Sequence, residues 1–215
     1  GAQLAGLDFH LPKLGRASMV RANLTGANFS HLKLRQWRFE QARLDGADFR
    51  DADLEGANFE GAKASATIFR GARLRQANLG GAFLGDADLS GCDIIMANLR
   101  EADFTRADLR FAKLVGADCS RTLFRWADLR GTDLTKAVVG GARFWHARLR
   151  KARLPLGALH WRALIGLTLL STAIKRKQQE REQREQQRRI RETVKLVREL
   201  EEKDPRMRRR PGRTT

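Results

Sequence analysis

Every fifth residue of this chain is apolar, in one unbroken phase, from Leu4 to Leu154. The 31 positions are 17 Leu, nine Phe, and Met19, Ala64, Ile94, Cys119 and Val139. Two residues before each stands a second inward position, and 23 of those 31 are Ala. A period of five is neither the 3.6 of a helix nor the 2 of a strand. It marks a repeat architecture, in which each unit buries its apolar face only against its neighbours.

A spacing of 20 sorts the large residues further. Phe9, Phe29, Phe49 and Phe69 share one column; Phe104, Phe124 and Phe144 share another; Phe39 and Phe59 follow Met19 in a third. The fourth column, Leu14 to Leu154, holds no Phe. Contiguous stacks of like rings, with small aliphatics elsewhere, are what a narrow four-sided core requires. The Ala slot also faces inward and must be small. Gly occupies the second position after the Leu/Phe slot 11 times, where the chain turns a corner and positive φ is useful. Some units depart from the rule. Pro12 and Trp37 occupy Ala slots, Ala64 sits between Phe59 and Phe69 as if to make room, and Val138 and Val139 also differ. Trp37 is the expected site of a bulge.

The pattern A-(D/N)-L-x-x is explicit in Ala22-Asn23-Leu24-Thr25-Gly26, Ala47-Asp48-Phe49-Arg50-Asp51 and Ala107-Asp108-Leu109-Arg110-Phe111. Over residues 2–155 the chain resembles the pentapeptide-repeat family. The resemblance implies an all-β solenoid: a right-handed quadrilateral β-helix with one pentad per side and 20 residues per coil. About eight coils stacked at ~4.8 Å give a length on the order of 37 Å. A C-terminal α-helical extension and a basic tail follow.

The expected organisation is a β-helix over 1–155, an apolar capping or anchoring helix over 156–174, a charged helix over 175–203 and a basic tail over 204–215. The chain opens at Gly1, inside the repeat, which leaves room for an upstream segment or a removed leader. After Pro155 the period of five stops and an apolar stretch begins, whose uncharged run from Ala163 to Ile174 is only 12 residues. A membrane span needs about 20. A cap on the open end of the β-helix is the first reading, because solenoid ends need caps. Membrane-surface contact by residues 156–177 and docking to another protein are the alternatives. Pairs such as Glu180–Arg184 and Glu185–Arg189 are spaced for an exposed helix. Ile190, Val194, Val197 and Leu200 then form an apolar stripe that either packs back on the repeat or enters a partner groove. Arg206, Arg208, Arg209, Arg210 and Arg213 end the chain as either a solubilising tail or a grip on an acidic or phosphate-bearing surface.

Net charge is +8 over residues 1–155 and +9 over residues 156–215, so the tail is the more densely basic part. Cys92 and Cys119 replace core residues on different sides, more than a coil apart, and read as buried small hydrophobes rather than a disulfide. No catalytic, metal or cofactor site is expected. Coil arithmetic brings Ser30, His31 and Asp51 close together, but no oxyanion donor or pocket accompanies them, so a surface ladder is the reading. No His, Cys or carboxylate spacing suits zinc. Arg50, Arg70, Arg110, Arg130 and Arg150 share one column, with Asp48, Asp88, Asp108 and Asp128 beside it to neutralise them. By coil arithmetic Arg106, Arg125, Trp126, Trp145 and His146 gather on one side near the C-terminal end. Exposed Trp beside Arg suits a protein interface, and equally suits packing under the helix beginning near residue 156.

These features suggest a non-catalytic scaffold mediating protein–protein interactions, a subunit of a larger assembly docked through its C-terminal helix and tail. Sequence-nonspecific nucleic-acid binding through the tail is an alternative. Some family members resemble duplex DNA in shape and negative charge and bind DNA gyrase, protecting it from quinolones. A gyrase-interacting, topoisomerase-protecting role is therefore the third reading, although it needs an acidic surface and these repeats are basic. Homodimerisation stays open. The cytoplasm or an organelle matrix is the favoured compartment, with membrane association left open, and the two cysteines do not decide it.

Overall fold

The computed structural model describes residues 18–155, together with Gln183 and Gln187, which are helical. The chain divides into two units, Gly1–Arg162 and Ala163–Thr215, and the repeat lies in the first. The helix expected over 156–174, nearly all of that over 175–203, and the tail lie outside the described residues.

Each pentad builds one side and one corner. The residue between the two inward positions makes a parallel bridge to its equivalent 20 residues on, from Ser18↔Arg38 to Asp133↔Arg153. Three backbone bonds per pentad join successive coils. Leu24 N–H donates to Arg43 O at 2.7 Å, Gly26 N–H to Asp45 O at 3.0 Å, and Arg43 N–H to Ala22 O at 2.9 Å. The corner is closed by Ala27 N–H donating to Leu24 O at 3.0 Å. Its third residue is left-handed at all 27 corners from Arg21 to Lys151, with φ between 54° and 73°. That is the signature of a type II turn. Seventeen of these residues are not glycine, and none is β-branched. Arg, Gln, Asp and Lys tolerate the conformation at a cost, whereas a branched Cβ would clash with the backbone.

Inside, the repeat of 20 forces like on like. Phe49 lies between Phe29 at 4.7 Å and Phe69 at 5.1 Å, nearly parallel to both. It meets Phe39 and Phe59 edge-on at 5.6 and 5.8 Å. The stacking distance is the coil rise itself, since identical rotamers are displaced only along the helix axis. Ala64 stands on the side between Phe59 and Phe69, whose rings meet edge-on at 5.6 Å. Phe104, Phe124 and Phe144 form the second stack, at 5.5 and 4.9 Å.

Trp37 makes no bulge. Its side keeps both bridges, Ser18↔Arg38 and Arg38↔Asn58, and Asn58 N–H donates to Trp37 O at 2.8 Å. The indole is buried and tilts against Phe39 at 5.8 Å. The same slot one coil on is Ala57, and that small neighbour leaves volume for the larger ring without distorting the ladder. Thr67, Cys92, Thr122 and Thr132 also replace Ala. Each donates to a carbonyl 23 residues earlier (Leu44, Phe69, Leu99 and Leu109), so no buried hydroxyl or thiol among them goes unsatisfied.

Because Phe49 touches four rings, Phe49→Ala is expected to cost about 3–5 kcal/mol in urea unfolding. Phe49→Leu, which restores the residue found in the same column at Leu89 and Leu109, should cost less than half of that.

Candidate functional site

Outward side chains leave the repeat at the middle of each side and at the two corner positions. The 20-residue register therefore builds columns on the surface as it does in the core. Arg106, Trp126 and His146 occupy the left-handed position of one corner on three successive coils, with φ of 64°, 61° and 59°. Arg125 and Trp145 occupy the preceding position of the same corner. The five residues expected to gather do so. Trp126 stacks on His146 at 4.0 Å and 17°, and Trp145 stacks on His146 at 5.1 Å and 25°. The indoles are not covered: Trp126 is 58% exposed and Trp145 64%. The remaining candidates, Ile190, Val194, Val197 and Leu200 with Arg206, Arg208, Arg209, Arg210 and Arg213, lie outside the described residues.

The neighbouring corner carries a feature that the sequence pattern did not single out. Phe111 is 69% exposed and its ring lies over Gly131, where an added Cβ would fall 2.6 Å from it. Arg110, Arg130, Arg150 and Lys151 complete a shallow open groove of about 270 Å³ there. An aromatic residue at an outward corner position, with Gly 20 residues later, was the available signal.

One side, with Asp108, Asp128 and Arg148 outward, separates the two corners. Arg130 Nη2 donates to Asp128 Oδ2 at 2.6 Å and its Nε to Oδ1 at 2.8 Å. Arg110 forks onto Asp108 in the same way, as Arg50 does onto Asp48. Arg70 instead reaches across one coil to Asp88 at 2.9 Å. The fork depends on Asp two residues before Arg. At Arg150 that residue is Arg148, which approaches Asp128 only to 3.8 Å. Among the described residues, neither Arg150 nor Lys151 has a carboxylate within ion-pair distance.

Charge is unevenly spread along the repeat. Residues 18–120 hold 14 basic and 14 acidic residues, whereas residues 121–155 hold nine basic and two acidic, a net +7. Burial favours protonation of Asp128. Hydrogen bonds from the Arg130 guanidinium and N–H, with the charges of Arg130 and Arg148, outweigh it and hold the carboxyl below its ordinary value. Burial is likewise outweighed at Asp133, by Thr135 and Arg153.

No chemistry of catalysis assembles among the described residues. His31 Nδ1 is 3.9 Å from Asp51 Oδ2 and both side chains are exposed. The Ser30 hydroxyl donates to Asn28 Oδ1 at 2.8 Å rather than to His31. Cys92 and Cys119 are free and buried; burial pushes the Cys92 thiol far up and the Cys119 thiol up to about 12. No group of three His, Cys, Asp or Glu could hold a metal ion, and no helix is long and apolar enough to cross a membrane, among the described residues. A second open depression, of about 600 Å³, lies where Gly80 and Gly81 leave space between Glu60 and Arg100.

The pentapeptide-repeat pattern matches residues 2–36, 38–71, 67–106, 102–139 and 117–155. The chain belongs to the pentapeptide-repeat family. Similar solved structures include a trypsin-treated form of QnrB1, a plasmid-mediated fluoroquinolone resistance protein. It is 21% identical over 71% of this chain and 73% of that one, with a TM-score of 0.52. HetL, involved in heterocyst differentiation regulation in the cyanobacterium Nostoc, is 31% identical over 74% and 87%, with a TM-score of 0.34. AT2G44920 from the Arabidopsis thaliana thylakoid lumen is 25% identical over 63% and 67%, with a TM-score of 0.31. No curated protein matches the chain significantly. The fold is the right-handed quadrilateral β-helix of this family.

Two expectations follow. A carboxyl held low in the folded state contributes stability that is present above its unfolded pKa and lost as pH falls through the folded one. Urea midpoints should therefore hold from pH 7 down to about 4 and then fall, and Asp128→Asn should lower the pH 7 midpoint while reducing the acid loss. Native protein should leave both thiols unreactive toward a thiol-specific chromogenic reagent at neutral pH, with two equivalents appearing in denaturant.

Proposed function

We propose that this protein is a non-catalytic scaffold whose repeat presents fixed surface columns to macromolecular partners, and whose segment 156–215 attaches it to a larger assembly. The observation that carries this reading is the filled core. Between Ala22 and Phe144 the inward positions are occupied by buried side chains, with Leu32 half-buried among them, and the two depressions described above are shallow and open. Small substrates need an enclosed, polar-studded cavity. A rigid ladder of side chains at coil spacing instead suits recognition across an extended surface.

The role of segment 156–215 is part of the proposal. The stripe of Ile190, Val194, Val197 and Leu200 is the plug for a partner groove, and the Arg206–Arg213 cluster is an electrostatic grip on an acidic or phosphate-bearing surface. Protection of a topoisomerase by duplex mimicry is a weaker reading. Residues 18–120 are neutral and residues 121–155 are strongly basic, the opposite of a polyanion.

Affinity capture of the full chain from native extract, read by mass spectrometry, tests this. Protein partners are expected to survive nuclease treatment. They should disappear when Ile190, Val194, Val197 and Leu200 are all changed to Ser. A monomeric, partnerless full chain would end the proposal.

A further inference from the structure

We propose that the last two coils of the repeat bind single-stranded RNA, with bases stacked at the Trp126 corner and the backbone crossing to the Arg130 corner. The site lies wholly within the repeat.

Four observations lead to it. First, Trp126 and Trp145 are stacked on His146 yet more than half exposed, so the ring column is preordered and still presents faces. Stacking on aromatic platforms is the sequence-tolerant element of single-strand recognition. Second, the charge of the described repeat is concentrated in these coils, with +7 over residues 121–155 against none over residues 18–120. Third, the column of Asp-to-Arg forks fails at Arg148. This leaves Arg150 and Lys151 free of carboxylate partners among the described residues, at the edge of a groove that also holds the exposed Phe111 ring. Free cations on one corner and open rings on the next are separated by one side, roughly 10 Å of extended chain. A strand whose bases lie on the rings can run its phosphates over the cations.

The fourth observation chooses the ligand. An acidic segment without rings would satisfy the cations but would leave the exposed faces of Trp126 and Trp145 uncovered. A duplex keeps its bases stacked internally and cannot offer them to the rings. Asp108 and Asp128 lie between the two corners, each held by an Arg fork that offsets its charge and leaves oxygen lone pairs able to accept a further hydroxyl proton. A ribose brings a 2′-hydroxyl donor to that row, and deoxyribose does not.

The test is fluorescence anisotropy of fluorescein-labelled U12 titrated with the full chain over a range of salt. The same strand in dT, a U12·A12 duplex and poly-glutamate serve as competitors. We expect U12 to bind and to quench tryptophan emission. Trp126→Ala with Trp145→Ala should weaken binding about tenfold or more without changing the salt slope. Arg150→Glu with Lys151→Glu should instead reduce the slope by about 1.4, at ~0.7 for each phosphate no longer neutralised. All four positions are on the surface, and unchanged urea midpoints show that the variants fold. Undiminished binding by the double Trp variant would overturn the proposal, since the grip would then be purely electrostatic. Poly-glutamate competing as well as U12 at equal charge would overturn it in favour of an acidic protein. Equal competition by dT12 or by the duplex would overturn the assignment to single-stranded RNA.

Discussion

The corner is the element on which the rest of the molecule depends. A turn closed by one N–H to C=O bond, with its third residue at positive φ, recurs every five residues without exception from Arg21 to Lys151. It holds each side to three residues, four sides to a coil, and equivalent residues to a separation of 20. The left-handed conformation disfavours L-residues by ~1–2 kcal/mol each. The chain accepts it at 17 non-glycine corners because three inter-coil backbone bonds per pentad depend on that geometry. The same constraint explains the absence of Val, Ile and Thr at these positions, although such residues are otherwise favoured in β structure.

A single translation then orders the interior and the surface alike. It stacks Phe29, Phe49 and Phe69 inside, and it stacks Trp126 on His146 outside. The two stacks differ in consequence. Inside, rings confined by alanines contribute burial and dispersion. Outside, at a corner where side chains project away from the neighbouring sides, the rings keep their faces open. Large residues at the left-handed corner position, Met96, Phe111 and Trp126, are accordingly all exposed. An apolar residue in that slot is therefore available for recognition, whereas one two positions earlier is core.

Electrostatics along the repeat follow from which residue precedes each Arg. Asp two residues before Arg gives a forked pair that neutralises locally, as at Asp48, Asp108 and Asp128. Replacing that Asp by Arg148 removes one fork and adds a cation. The step from a neutral repeat to a basic end is thus produced by a few outward substitutions that leave the core pattern untouched. This separation of surface from core lets one fold carry different partners.

The period of five, the three Phe columns and the gathering of Trp126, Trp145 and His146 were all legible in the sequence, because in-register stacking makes position in space a matter of counting. Counting also placed Arg150 beside Arg130. It could not show that, among the described residues, Arg130 has a carboxylate partner and Arg150 has none, since that depends on how each guanidinium folds back over its own pentad. It misjudged Trp37, whose fit rests on volume shared with Ala57 and Phe39 rather than on its own size. It passed over Phe111, whose ring position is set by the missing side chain at Gly131 one coil away. The sequence by itself determined the backbone path, because local turn chemistry and a strict repeat leave that path almost no freedom. Only the tertiary structure decided which side chains are spent on one another and which face outward unpaired, because that choice is made between coils, by side chains with several rotamers open to them.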